Sequence, residues 1–198
     1  MLWALFRALA GAAFIIITTI SGSKTIAAAD FETCENASGE AAIVACTRAI
    51  SSGRYNGHDL AVLYSNRGVE YSAKGDHENA IADYNEAIRL DPKIAEAYNN
   101  RGNAWRNKGD YDRAIADYNE AIRLDPKHAK AYNNRGNAWG NKRDFHRAIA
   151  DYNEAIRLDP KYAKAYNNRG LAKRARGDAA GGDTDIARAR QLDPNIDR

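Results

Sequence analysis

The strongest constraint on this chain is a ruler of 34 residues. The string "AYNNRGNAW" stands at 97–105 and again, unchanged, at 131–139. "LYSNRGVEY" precedes them at 63–71 and "AYNNRGLAK" follows at 165–173. A second phrase, "AIADYNEAIRLDPK", stands unchanged at 80–93, 114–127 and 148–161. Self-similarity at this period means stacked units, each too small to bury its own apolar face, so burial has to come from the neighbours.

Both phrases have the period of a helix. Tyr98, Arg101, Gly102 and Trp105 fall on one face of the first helix. Ala114, Ile115, Tyr118, Ala121, Ile122 and Leu124 make a broad apolar stripe on the second. "GDY" at 109–111 ends one helix and starts the next, with Asp110 as N-cap. "DPK" ends the second, because proline cannot continue a helix and restricts the residue before it.

This unit resembles the tetratricopeptide repeat. Tyr98, Gly102, Trp105, Ala114, Tyr118, Ala121 and Pro126 stand in the family's order and spacing, and the match runs over residues 61–194. The resemblance implies an all-α, right-handed superhelical solenoid of antiparallel helix pairs. It also implies that Gly68, Gly102, Gly136 and Gly170 lie opposite small residues of their partner helices (Ala80, Ala114 and Ala148), so that the backbones nearly touch. Such a contact would explain a glycine that costs about 1 kcal/mol inside a helix. Trp105 and Trp139 then fill space on the buried side.

Arg67, Arg101, Arg135 and Arg169 depart from the family pattern, which has leucine there. A charge on a half-buried seam wants a partner. Asp83, Asp117 and Asp151 recur at the same period on the second helix, which predicts an Arg–Asp ladder along the stack.

An array needs caps. "GEAAIVACTRAI" at 39–50 imitates a second helix, with Cys46 in the place of the core tyrosine. An oxidising compartment would let Cys34 pair with Cys46 and pin the start of this half-repeat. The following connection, "SSGRYNGHDL", is four residues longer than the regular one. In the last unit Lys173 replaces the aromatic, Gly181 and Gly182 stand near the place of Ala148, and Ile186 stands for the tyrosine. The expected organisation is a leader at 1–29, a capping half-repeat with linker at 30–60, repeats at 61–94, 95–128 and 129–162, and a degenerate capping repeat at 163–198.

The leader follows from its order: Arg7 near the start, an apolar run from Ala8 to Ile20, and "AAA" before Asp30. This reads as a secretory signal peptide cleaved after Ala29. This run of 13 residues falls short of the ~20 that span a bilayer. The expectation is an exported protein, periplasmic or secreted, with no stable membrane insertion after cleavage; the alternative is an uncleaved N-terminal anchor. Cleavage takes Arg7 and Lys24 from 29 basic residues and nothing from 26 acidic ones, leaving a net charge of +1. That balance offers nucleic acid no basic surface.

The residues give no catalytic constellation, no phosphate-binding glycine loop and no metal-ligand spacing, so the chain is read as non-catalytic, without cofactor or metal. Function is expected on the face opposite Tyr98 and Trp105. It carries Asn99, Asn100, Asn103 and Asn107, then Asn133, Asn134, Asn137 and Asn141, with Asn66 before them and Asn167 and Asn168 after. The resemblance implies that this face lines the concave side. Carboxamides both donate and accept, and suit the backbone of an extended peptide. The expected function is an adaptor holding a protein or peptide segment in that groove. The alternative is a structural or assembly factor of the cell envelope, acting through its convex face or ends as an oligomer. N-terminal sequencing of the exported protein is expected to begin at Asp30; a mature chain that keeps Met1 would contradict the leader.

Overall fold

The computed structural model describes residues 28–196, and the aspartates of the repeat mark where its helices begin and end. Asp76, Asp110, Asp144 and Asp178 each accept the backbone N–H three residues on, at 3.2, 3.1, 3.0 and 3.0 Å. Such caps satisfy one of the free N–H groups at a helix start. At the other end Asp91, Asp125 and Asp159 turn extended and accept the N–H two residues on, at 3.0, 2.9 and 2.9 Å.

The resulting helices are α1 (28–36), α2 (Gly39–Ser51), α3 (Gly57–Ala73), α4 (His77–Leu90), α5 (Ala95–Asn107), α6 (Tyr111–Leu124), α7 (Ala129–Asn141), α8 (Phe145–Leu158), α9 (Ala163–Ala175) and α10 (Ala179–Leu192). No strand occurs among the described residues. Apart from Ala28 and Ala29, the expected leader lies outside them. One expectation is corrected at once. Residues 57–60, read as part of a long connection, form the first turn of α3 instead, so the longer link is partly a longer helix.

From α2 onward each helix packs on its neighbour in sequence. The first helices of successive repeats also touch: α3 on α5, α5 on α7 and α7 on α9. The second helices do not touch one another among the described residues. A stack closer on one side than the other curves, and α3, α5, α7 and α9 line its inner face. This is a helical solenoid.

The repeat glycines correct a second expectation. A Cβ on Gly102 would lie 2.7 Å from Cε1 of Tyr118, and those on Gly68 and Gly136 would lie 2.9 and 2.6 Å from Tyr84 and Tyr152. The close neighbour is the buried tyrosine ring of the second helix, not Ala80, Ala114 or Ala148. The ring is wide enough that only a residue without a side chain can lie against its edge. In the last repeat Ile186 has replaced the tyrosine, and there the backbones do approach: Gly170 would place its Cβ 2.7 Å from the carbonyl oxygen of Gly182. Trp105 and Trp139, half-buried, pack against Ala114, Ile115, Tyr118 and Ala138. The guanidinium carbons of Arg113 and Arg147 lie over these rings, 4.5 and 4.4 Å from their centroids.

The Arg–Asp ladder is present and reaches further than the spacing predicted. Arg101 donates from Nε and Nη2 to both carboxylate oxygens of Asp117, at 2.8 and 2.6 Å. Arg67 grips Asp83 and Arg135 grips Asp151 in the same two-pronged way. Asp185, in the degenerate last repeat and not among the expected aspartates, receives Arg169 at 2.8 and 2.6 Å. The remaining nitrogen, Nη1, reaches the preceding repeat: Arg101 donates to Asn85, Arg135 to Asn119 and Arg169 to Asn153, at 2.7, 2.7 and 2.8 Å. Each arginine therefore ties its own helix to two second helices, one on either side of a repeat boundary. The guanidiniums also lie 5.3–5.5 Å from the centroids of Tyr64, Tyr98, Tyr132 and Tyr166.

The leading half-repeat obeys the same rule. Arg67 Nη1 donates to Thr47 of α2 at 3.0 Å, so Thr47 takes the place of Asn85. Cys46, one residue earlier, is fully buried where the repeats bury tyrosine. It is bonded to Cys34 of α1. Asp30, also buried, accepts Arg48 at 2.5–3.1 Å and holds α1 to α2 a second time.

Asp117→Ala leaves a half-buried guanidinium unpaired and is expected to lower stability by about 3 kcal/mol. Asp110→Ala, which removes only a cap, should lower it by about 1 kcal/mol. Urea unfolding followed by circular dichroism checks the order; equal losses would deny the ladder its role.

Candidate functional site: the concave asparagine groove

Placing α5, α7 and α9 side by side brings their asparagines to one surface. They form a groove of about 600 Å³. Asn99, Asn100 and Asn103 come from α5; Asn133, Asn134 and Asn137 from α7; Asn167 and Asn168 from α9. The other expected residues lie elsewhere. Asn66, half-buried on α3, does not line this groove. Asn107 is exposed at the end of α5, where Arg106 Nη2 approaches it at 3.5 Å. Asn141 lines an adjoining cavity.

Within the groove the asparagines divide into two kinds, which is a correction. Asn99 and Asn133, expected to face solvent, are 2% and 3% exposed. They form the floor. Asn168 Nδ2 donates to Asn133 Oδ1 at 3.0 Å, and Asn133 Nδ2 to Asn134 Oδ1 at 3.4 Å. Asn134 Nδ2 donates to Asn99 Oδ1 at 3.0 Å, and Asn99 Nδ2 to Asn100 Oδ1 at 3.2 Å. The chain runs head to tail across three helices, and it satisfies amides that burial would otherwise penalise. A helical wheel drawn for one repeat cannot show this, because half of each bond belongs to the next repeat.

Asn103 and Asn137 are held differently. Each accepts a hydrogen bond on Oδ1 from a buried phenol, Tyr118 or Tyr152, at 2.8 Å. Burial pushes both phenols well above the usual tyrosine value, so they stay protonated donors. With each carbonyl end occupied, the amide groups are left as donors, and neither Nδ2 has a partner among the described residues. At the end of the floor chain, Asn100 likewise keeps its amide group free to donate.

A charged rim completes the pattern, at positions the sequence does not mark as a site. Glu96, Lys130 and Lys164 occupy the same repeat position, 34 residues apart, and Arg106 joins them. Glu96 is occupied by His128, whose Nε2 lies 2.8 Å from it and whose hydrogen bond holds the carboxyl below its usual value. Lys130 acts on the same carboxyl through space without an ion pair, and Lys164 and Arg106 have no carboxylate partner among the described residues. The other end of the floor chain, Asn168, keeps its Oδ1 free to accept; donors and positive charge otherwise dominate the lining, which suits carboxylates and backbone carbonyls. Among the described residues no cluster of three or more His, Cys, Asp or Glu could hold a metal ion. None of the described helices is long and apolar enough to cross a membrane.

If this sorting is correct, Asn133→Ala should lower stability by about 1–2 kcal/mol through the amides it leaves unpaired. Asn107→Ala should change it by less than about 0.5 kcal/mol. Urea denaturation of both variants reads the difference, and equal values would overturn it.

Residues 95–128 and 129–162 each match the family model described as tetratricopeptide repeat, and 68–105 match a model described as TPR repeat. No curated protein sequence matches the chain. Among solved structures, that of MamA is similar at 24% identity, covering 79% of this chain and 89% of that one, with a TM-score of 0.69. "MamA 41-end" from Desulfovibrio magneticus RS-1 is 17% identical, covers 89% of this chain and 97% of that one, and has a TM-score of 0.74. The first TPR of Spaghetti (RPAP3), bound to the HSP90 peptide SRMEEVD, is 26% identical. It covers 62% of this chain and 98% of that one, with a TM-score of 0.59. The MamA likenesses establish the fold alone.

Proposed function

We propose that this chain, a tetratricopeptide-repeat protein across residues 68–162, is a non-catalytic scaffold that holds an extended, acidic segment of another protein in the groove of α5, α7 and α9. The observation that carries the reading is the excess of donors and positive charge in the groove. Asn103 and Asn137 have their carbonyl ends occupied by Tyr118 and Tyr152, so both face a ligand as donors. Lys130, Lys164 and Arg106 flank them, and the lining's single acid, Glu96, is engaged by His128. Donors fixed before binding need no ordering when a ligand arrives, which favours affinity.

The similar RPAP3 structure supports the reading from another side, since the peptide it holds, SRMEEVD, is rich in carboxylates. A groove of this size buries a short stretch of peptide, so affinity in the micromolar range is expected. On this reading the scaffold works in an oxidising, extracytoplasmic compartment. The leader-like start of the sequence and the bond between Cys34 and Cys46 support that reading.

The test is a selection of displayed random peptides on the full chain, followed by affinity measurement on the selected peptides. Acid-rich peptides should be enriched. Asn103→Asp with Asn137→Asp keeps an acceptor for each phenol but turns the facing amide into a second oxygen. Binding should fall tenfold or more at unchanged helicity, because a donor is lost and like charges meet. Unchanged binding in the double variant would remove the groove from the function and move it to the convex face or the ends.

A further inference from the structure

The near-balance of charge over the whole chain conceals a sorting along the stack. Residues 30–94 carry 6 basic and 11 acidic side chains, whereas 129–196 carry 14 basic and 8 acidic. The imbalance becomes local on one edge, where the first helix of each repeat turns into its second. Ion pairs cross the repeat boundaries there: Lys74 with Glu40 at 2.6 Å, Lys108 with Glu78 at 2.5 Å, and Lys142 with Asp112. At the boundary of the last two repeats the places of Lys142 and Asp112 are held by Arg176 and His146. The base remains and the acid is gone. Arg176 is exposed, and its guanidinium has no ion pair or hydrogen bond among the described residues.

Arg143 adds a second departure on the same edge. The other repeats have Gly75, Gly109 and Gly177 at its place, with φ of 79°, 81° and 98°. Arg143 keeps that left-handed backbone at φ 63°, which an L side chain adopts at a cost. The side chain is exposed and has no ion pair or hydrogen bond among the described residues, so the fold gains nothing from it. A strained residue without a structural return points to a role outside the fold. The nearby cations are already matched: Lys142 to Asp112, Arg147 to Asp144, Lys173 to Asp185 and Arg174 to Asp183. Asp144 and Asp178, the acids closest in sequence to Arg143 and Arg176, are engaged as helix caps. The excess charge therefore belongs to Arg143 and Arg176, with His146 standing where an acid would neutralise Arg176.

We propose that this edge of the last two repeats docks the protein on a bilayer of anionic phospholipid. A guanidinium is a planar fork that suits phosphate oxygens. Both arginines lie exposed in turns, where nothing encloses a single small anion. A surface bearing many phosphates meets both charges at once. The choice of a bilayer over other polyanions rests on the extracytoplasmic reading above, since the phosphate-bearing surface at hand there is a membrane. The contact is peripheral and made through charge, and it does not depend on the asparagine groove.

Co-sedimentation of the full chain with lipid vesicles tests this. Binding to phosphatidylcholine vesicles containing about 30% phosphatidylglycerol should exceed binding to phosphatidylcholine alone by about tenfold or more at low salt. The comparison cancels any contribution from apolar segments, and the preference should vanish near 0.5 M salt, roughly where screening shortens to a few ångströms. Arg143→Gly with His146→Asp restores the residues of the second repeat. The glycine relieves the strain, and the aspartate gives Arg176 the partner that Lys142 has, in a first helical turn that favours an acid. The double variant should be at least as stable as the parent in urea, yet lose about fivefold in anionic preference for each of the two cations removed or neutralised. A purely structural role would move stability and binding together. No preference of the parent for anionic vesicles overturns the proposal, as does a preference that survives in the double variant. Lower stability of the double variant would assign Arg143 to the fold and overturn it too. Binding of soluble polyglutamate that the double variant loses, without binding to anionic vesicles, would give the edge to an acidic protein and overturn the lipid assignment.

Discussion

The structure depends on a guanidinium shared among three helices. Arg101 is held by Asp117 of its own repeat and Asn85 of the one before, and Arg135 and Arg169 repeat the arrangement. A conventional apolar residue at this place would pack, but it would not specify a distance and an angle. A planar fork with fixed donors does both. The bracket sets how far one repeat advances over the last, and everything on the inner face inherits that advance. Asn134 meets Asn99, and Asn168 meets Asn133, because consecutive first helices are held in that register.

From this register follows a division of labour within a nine-residue string. In "AYNNRGNAW" the tyrosine and arginine build the seam, and the glycine admits the partner helix's tyrosine ring. The tryptophan fills the space beside it. The first asparagine joins neighbouring repeats across the groove floor. The second asparagine ends or continues that chain, and the third is turned outward as a donor by a phenol behind it. Binding chemistry is left to two of the nine residues, assisted by lysines at the position of Glu96 and by Arg106.

Much of this was legible in the sequence, and the limits have physical causes. The period, the caps at Asp110 and its equivalents, and the Arg–Asp ladder all involve groups that recur together at fixed spacing within a repeat. What escaped were relations across repeats and relations of size. The burial of Asn99 requires Asn134, which belongs to the next unit. The glycine's neighbour is Tyr118 rather than Ala114 because a ring reaches further than a methyl group, which spacing does not reveal. Asp185 continued the ladder into a repeat whose other positions had decayed, and that decay concealed it. The extra turn of α3 arose in a polar stretch that carries no helical stripe.

The central claim is that the inner asparagines form two populations, one sealed into the scaffold and one presented as donors to a ligand. Side-chain amide NMR measures this directly, by hydrogen exchange in the free protein and by titration with a glutamate-rich peptide. The account predicts slow exchange for the Nδ2 protons of Asn99 and Asn133, and peptide-induced shifts at Asn100, Asn103 and Asn137. Fast exchange at Asn99 and Asn133 would contradict it, as would peptide shifts confined to Asn85, Asn119 and Asn153 on the second helices.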